Sequence, residues 1–228
     1  MPEAPEVQTV LSTLETQIKD VSIEDVLIYY PKIIDNVEVE TFKNQLIGQT
    51  FHSFNRLGKY LIFGLDDYDL VVHLRMEGKF YLYNMLCENK HIHIVFKLNS
   101  GTYMSYHDTR KFGRMIVKNE SELFSTKPLN KLALDANDPT FTKETLHIRL
   151  KGRKIPIKEA LLNQEIIAGL GNIYVDEVLF ASRISPLREA CDVSCTECGI
   201  ILEESRKILN KAISYKGTTI RSYTSSLG

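Results

Sequence analysis

The sequence predicts an α+β protein: an antiparallel β-sandwich domain led by an N-terminal helix, then an α-helical domain. Three patterns predict it. Val7, Val10, Leu11, Leu14 and Ile18 recur at helical spacing near the start. Across residues 51–118, short apolar, β-branched and aromatic runs are separated by turn residues. Beyond about residue 140 the apolar period is helical again. The expected division is a β-sandwich catalytic domain over 1–126, a linker over 127–140 and a helical domain over 141–228. A chain of 228 residues has room for one large domain or two modest ones.

The elements follow in order. The first helix opens at Met1-Pro2-Glu3-Ala4-Pro5-Glu6-Val7. Pro5 suits a first helical turn, where a missing N–H costs nothing. The acidic residues there complement the helix dipole. Residues 26–30 read as a strand that Pro31 ends, and 39–46 as a short helix. Strand-like runs cover 60–65, 70–74, 79–83, 91–98, 102–106 and 114–117. Asp66-Asp67, Glu77-Gly78, Asn99-Ser100-Gly101 and Gly113 supply the turns between them. Many short strands with tight connections suit a sandwich or barrel. Lys127-Pro128 and Asp135-Ala136-Asn137-Asp138-Pro139 have linker composition. Ile155, Ala160, Leu161 and Ile167 then fit one helix, and 173–181 a second ahead of Pro186. Ile201, Ser205, Ile208, Leu209, Ala212 and Ile213 share one face of a third.

Composition excludes several classes. No apolar run approaches the roughly 20 residues that span a bilayer. The start has no basic region followed by an apolar stretch, so no secretory signal is expected. A cytoplasmic, nucleoid-associated location is the expectation. A net charge of −1 excludes a generally basic protein but not local basic clusters. Of the four cysteines, Cys191, Cys195 and Cys198 are closely spaced. They offer three ligands where a structural zinc takes four, so they read as incidental thiols, with no metal expected in this chain.

Several short stretches suggest chemistry. If Met1 is trimmed, Pro2 becomes a secondary amine with a pKa near 8 before perturbation. Such an amine attacks a carbonyl-like carbon to form a Schiff base, and Glu3 and Glu6 stand close enough to act as acid or base. The plain alternative is a helix start. Arg56-Leu57-Gly58-Lys59-Tyr60 sets two cations where a strand begins. Met76 sits in a turn flanked by Arg75 and Lys79, a placement that suits an apolar wedge in a base stack. Arg110-Lys111-Phe112-Gly113 joins cations to an aromatic in a turn, which fits phosphate pairing and base stacking. Gly169-Leu170-Gly171-Asn172 makes a tight turn before a helix, with Asn172 as its expected cap and free N–H groups for a phosphate. His91 and His93 fall on one strand face and read as satisfied histidines, not metal ligands.

Each signal has a bland counterpart, but their order is distinctive. Pro2-Glu3-Ala4-Pro5-Glu6-Val7, Arg56-Leu57-Gly58-Lys59-Tyr60-Leu61, His73-Leu74-Arg75-Met76-Glu77-Gly78, Asp108-Thr109-Arg110-Lys111-Phe112-Gly113 and the run from Asn163 through Gly169-Leu170-Gly171-Asn172-Ile173-Tyr174 to Glu177 together resemble the formamidopyrimidine-DNA glycosylase family. The resemblance covers nearly the whole chain. It implies a β-sandwich joined to a helix–two-turns–helix domain. It also implies a monomeric bifunctional glycosylase and AP lyase, acting on duplex DNA that carries 8-oxoguanine, formamidopyrimidines or abasic sites. Carried over by position, Pro2 is the nucleophile, Glu3 the acid, Glu6 a supporting carboxylate and Lys59 a phosphate contact. His73, Gly171 and Asn172 meet the backbone. Met76 fills the gap left by a flipped base, while Arg110 and Phe112 probe and wedge the opposite strand. Thr218, Thr219, Arg221 and Tyr223 match the start of the loop covering the flipped base.

The family pattern is departed from twice. Ala4 stands where a leucine is usual. The chain stops at Gly228, before the family's C-terminal zinc finger, so one zinc is expected only in a longer form. A truncated piece and a short form both remain open. Two other readings compete: a damaged-DNA-binding module without turnover, and an endonuclease VIII-like glycosylase for oxidised pyrimidines. Pro5-Glu6-Val7 and the 110–113 turn favour the purine branch.

Overall fold

The computed structural model describes residues 1–215. Helix α1 spans Ala4–Ile18, with Glu3 at its N-cap and a proline in its first turn. Then follow strand β1 (Ile23–Ile28), helix α2 (Val39–Leu46), and strands β2 (Ser53–Leu57), β3 (Tyr60–Gly64), β4 (Tyr68–His73), β5 (Lys79–Tyr83), β6 (Ile92–Leu98), β7 (Tyr103–His107) and β8 (Arg114–Asn119). The strands form two four-stranded sheets, ordered β1-β6-β7-β5 and β2-β3-β4-β8. Every pairing is antiparallel. The helical part comprises α3 (Lys143–Leu150), α4 (Ile157–Leu162), α5 (Asn172–Ala181) and α6 (Cys195–Ser214).

The predicted sandwich and helical domain are both present. Val7, Leu11, Leu14 and Ile18 turn the apolar face of α1 into one core with Phe63, Phe80, Phe96 and Tyr106 from the two sheets. Each such fully buried side chain contributes about 1.5–3 kcal/mol of transfer free energy. A second core joins Phe141, Leu146, Ile157, Leu161, Tyr174, Val178, Ile201 and Leu209. The outer face of the second sheet is also covered: Ile62, Val71 and Ile116 pack on Leu123 and Leu129. That explains why β3 and β4 read as continuous apolar runs without alternation.

Local details differ from the sequence reading. The strand expected at 26–30 is Ile23–Ile28, although Tyr29 and Tyr30 still donate their N–H groups to the His93 carbonyl. The single helix expected through Ile155 and Ile167 is only Ile157–Leu162. Asn163 ends it by accepting the Glu165 N–H on its side chain, a local bond that competes with the helix. Ile166 and Ile167 stay buried beyond the stop. Strand β2 and helix α3 were not foreseen. The 127–140 stretch holds a short 3-10 turn at Leu129–Lys131 and buries Ala136 completely. Met76 sits in the expected turn between two strands, and that turn joins the two sheets. Residues 74–78 carry the chain from β4 in one sheet to β5 in the other. Among the described residues no helix is long and apolar enough to cross a membrane.

Candidate active site at the domain junction

The start of the chain is wedged between the two domains. The Ala4 N–H donates to the Gly169 carbonyl at 3.1 Å. The buried Glu3 carboxylate crosses the junction and accepts from the N–H groups of Gly171 (2.7 Å), Ile173 (2.9 Å) and Tyr174 (3.3 Å). These are the unpaired donors of the first turn of α5, and a carboxylate is favoured at that positive helix end. Glu6, one turn along α1 and also buried, accepts the Glu3 N–H at 3.0 Å and the Tyr174 hydroxyl at 2.8 Å. Gly171 is required by this approach, since a Cβ there falls 2.4 Å from the Glu3 carboxyl carbon.

This geometry corrects one expectation. The cap residue of α5 is Gly171, and Asn172 is the first helical residue. The N–H groups of Gly171, Ile173 and Tyr174 are held by Glu3, so they are not open to a phosphate. The exposed Asn172 side chain is left to face outward.

The electrostatics follow from burial. Desolvation lifts the Glu3 carboxyl above the usual carboxylate range, opposed by the Ile173 N–H and the charge of Lys59. Lys59 is 5% exposed, and its ammonium is pushed down by burial and pulled back up by Glu3 and Glu6. Gly58 and Lys59 form the two-residue turn between β2 and β3, whose flanking residues Leu57 and Tyr60 pair. His73 ends β4, and burial reinforced by Arg75 and Lys59 lowers its pKa to about 3. Its Nδ1 accepts the Arg75 N–H at 2.9 Å, so the neutral ring carries its proton on Nε2, as a donor.

Half-buried Pro2 lines a cleft of about 330 Å³ with Glu6, Met76, Tyr81, His91, His107 and Ile173. A second, wider trough of about 770 Å³ holds Lys59, His73, Arg75, Lys127 and Lys131. Met76 and Phe112 are exposed at turn tips, 42% and 47%, and both border a third hollow with Arg75 and Arg114. The Arg110 guanidinium lies 4.9 Å from the centre of the Phe112 ring. Thr218, Thr219, Arg221 and Tyr223 lie outside the described residues.

The contacts of three contributors were not read from the sequence, although Tyr174, Asp108 and Arg56 stand in its motifs. Tyr174 holds Glu6 as described. Asp108 is buried and shapes the turn behind it, accepting the N–H groups of Arg110 (3.0 Å) and Gly113 (2.8 Å). Its carbonyl also meets the ring of His93, which is buried in β6, while His91 lies before that strand in the cleft wall. Third, Arg56 and Asp135 form a buried ion pair at 2.6 Å. A short-range signal existed only for Asp108, as a turn-forming Asp ahead of Gly113.

Zinc is not fitted by the described residues. Cys191, in a short 3-10 turn at Ala190–Asp192, and Cys195 and Cys198, in the first turn of α6, are free thiols. Among the described residues no group of three or more His, Cys, Asp or Glu side chains is placed to hold a metal.

Fold and site together define a class: two-domain proteins whose β-sandwich and helical unit enclose the start of the chain. The model of the formamidopyrimidine-DNA glycosylase N-terminal domain matches residues 1–115, and that of the H2TH domain of the same glycosylase matches residues 132–224. The formamidopyrimidine-DNA glycosylase of Exiguobacterium sibiricum is 41% identical over 230 residues, spanning 100% of this chain and 83% of that protein. The Bacillus cereus enzyme of the same name is 42% identical over the same spans. A solved complex of a Lactococcus lactis FPG mutant with Fapy-dG DNA matches with a TM-score of 0.91 and 34% identity, covering 98% of this chain and 83% of that one. A complex of MutM with carbocyclic 8-oxo-G DNA matches at 0.90 and 35%, covering 96% and 82%. The chain belongs to the formamidopyrimidine-DNA glycosylase family.

Proposed function

We propose that this protein is a bifunctional DNA glycosylase and AP lyase of base excision repair, removing oxidised purines from double-stranded DNA. Its substrates are 8-oxoguanine, formamidopyrimidines and abasic sites. The observation that carries the reading is Pro2 in the wall of a cleft that the buried Glu6 also lines, with the buried carboxylate of Glu3 adjacent in sequence. Removal of Met1 frees the Pro2 amine. The target nucleotide leaves the stack at a cost of a few kcal/mol. The Pro2 nitrogen attacks C1′, and the bond from C1′ to the base breaks. The base departs with that electron pair and takes up a proton. Glu3, its proton affinity raised by burial, protonates O4′ as the sugar ring opens, leaving an iminium between Pro2 and C1′. Loss of a C2′ proton then expels the 3′ phosphate, and a second elimination expels the 5′ phosphate. Water releases Pro2.

The remaining residues hold DNA. Lys59, Nε2–H of His73 and the Asn172 side chain meet phosphates around the lesion. Gly171 contributes as the gap through which Glu3 reaches α5. Met76 fills the vacated stack, Arg110 reads the orphaned base and Phe112 wedges the opposite strand. Thr218, Thr219, Arg221 and Tyr223 cover the flipped base. The protein works as a monomer, associated with the nucleoid. One zinc belongs to this reading only on a C-terminal finger outside residues 1–228.

Borohydride reduction with an 8-oxoguanine duplex and the Met-trimmed protein is the test. The expected result is a covalent complex that Pro2→Gly abolishes. No complex with the wild-type protein overturns the reading. Lesion binding without nicking supports a damage-binding module in its place, and stronger cutting at oxidised pyrimidines supports the endonuclease VIII-like branch.

A further inference from the structure

We infer that Asp135, with Arg56, is a positioning residue that sets Lys59 in the trough it lines with His73 and Arg75 and ties that setting to the helical domain. The inference rests on the proposed lyase reading. Asp135 lies between the two cores, in a stretch of linker composition, yet its side chain is only 13% exposed, and that of Arg56 only 7%. One carboxylate oxygen does two jobs. Asp135 Oδ1 accepts from Arg56 Nη1 at 2.6 Å and from the Gly58 N–H at 3.1 Å. The same Arg56 nitrogen donates to the Gly58 carbonyl at 2.7 Å. Gly58 is therefore gripped at both its donor and its acceptor. Its φ of +57° is a conformation that side-chain-bearing residues rarely adopt. Lys59 follows directly, so the grip fixes where its stem begins.

The grip also reaches the other parts of the site. Arg56 Nε donates to Gln8 on α1 at 3.2 Å. On the helical side, Asp135 bridges with Ala168, and the Ala136 N–H donates to the Ala168 carbonyl at 2.9 Å. Gly169, the next residue, receives the Ala4 N–H. The three segments that carry Pro2 and Glu3, Lys59, and Gly171 thus meet around one ion pair. A surface pair has little leverage on geometry. A buried one made of charge-assisted bonds specifies a single arrangement. Burial raises the Asp135 carboxyl above its usual range, and the charge and hydrogen bond of Arg56 oppose that rise.

Asp135→Asn keeps an acceptor for Gly58 and removes the charge that holds Arg56. In single-turnover cleavage of an abasic duplex, its rate is expected to fall about tenfold, because small misplacements near reacting groups are costly. Lys59→Ala is the second arm. If Asp135 acts through Lys59, the double variant is no slower than Lys59→Ala alone, a non-additivity that a general loss of stability does not produce. A wild-type rate in folded Asp135→Asn, or losses that multiply in the double variant, overturns the inference. Should Asp135→Asn fail to fold, Arg56→Lys in the same cycle keeps the ion pair while thinning the bonds to Gly58 and Gln8, and the same criteria apply. If wild-type protein itself gives no Pro2-dependent complex, the lyase reading fails, a result distinct from a normal Pro2 complex with an inert Asp135.

Discussion

The junction around Glu3 and the turn tips at Met76 and Phe112 are built in opposite ways. At the junction both carboxylates are engaged. Glu3 holds three N–H groups, and Glu6 holds a fourth and a tyrosine hydroxyl. At the tips, large side chains stand in solvent on turns whose shape is set from behind, by Asp108 in the second case. Chemistry needs groups held still before the substrate arrives. A wedge needs only a rigid stem and a free end. Substitutions at the junction are therefore expected to disturb fold and reaction together, and those at the tips reaction alone.

The largest effect expected is that of Glu3→Gln. It removes the proposed acid and the helix-capping charge at once. Single-turnover base release falls by about 10²-fold or more, with melting temperature also lowered. An unchanged melting temperature breaks the comparison on its junction side. Next come Phe112→Ala and Met76→Ala. Each shifts stability by no more than about 0.5 kcal/mol. Each slows excision from an intact duplex by about tenfold, the scale of one lost stacking contact. A clear loss of stability in either shows that the tips also support the fold.

His73 sharpens the contrast by pH. Its folded pKa of about 3 lies below the ordinary histidine value. Below about pH 6.5 the unfolded chain takes up a proton that the folded chain refuses. Stability is therefore full above that pH and drains as pH falls toward 3. Melting curves of His73→Gln are expected to lose this part of the acid slope, and an identical slope contradicts a buried neutral imidazole. The smallest effect is that of Lys59→Ala on binding. It lowers the log–log salt slope of duplex affinity by about one, the signature of one phosphate contact. An unchanged slope places Lys59 away from the backbone.

Much of this was legible along the chain. The apolar stripe of α1, the turn residues between strands and the face of α6 each follow a local period, and the structure follows them. Strand β2 and helix α3 escaped for local reasons. Residues 53–57 are polar or half-exposed throughout, and α3 buries only Leu146 and Leu150 in its eight residues. The candidate site was legible as an order of motifs, which made Pro2, Glu3, Glu6 and Lys59 the expected residues. Its wiring was not. Glu3 and Gly171 are 168 residues apart, and nothing in either stretch announces that the carboxylate occupies the turn that looked free for phosphate. Asp135 escaped for a related reason. Its Asp-Ala-Asn-Asp-Pro surroundings have the composition of a solvated loop, and only the fold buries it against Arg56.

The contact between Glu3 and Gly171 bears on domain exchange. A carboxylate on one unit fits a glycine-sized gap on the other, like a key cut for one lock. A chimera that takes its sandwich from one relative and its helices from another inherits a working seam only if both halves of that fit travel together. Any side chain at position 171 displaces the acid from its place, however sound each half remains by itself. The junction therefore limits how independently the two domains can drift, because a change on one side is judged by a partner 168 residues away in the chain.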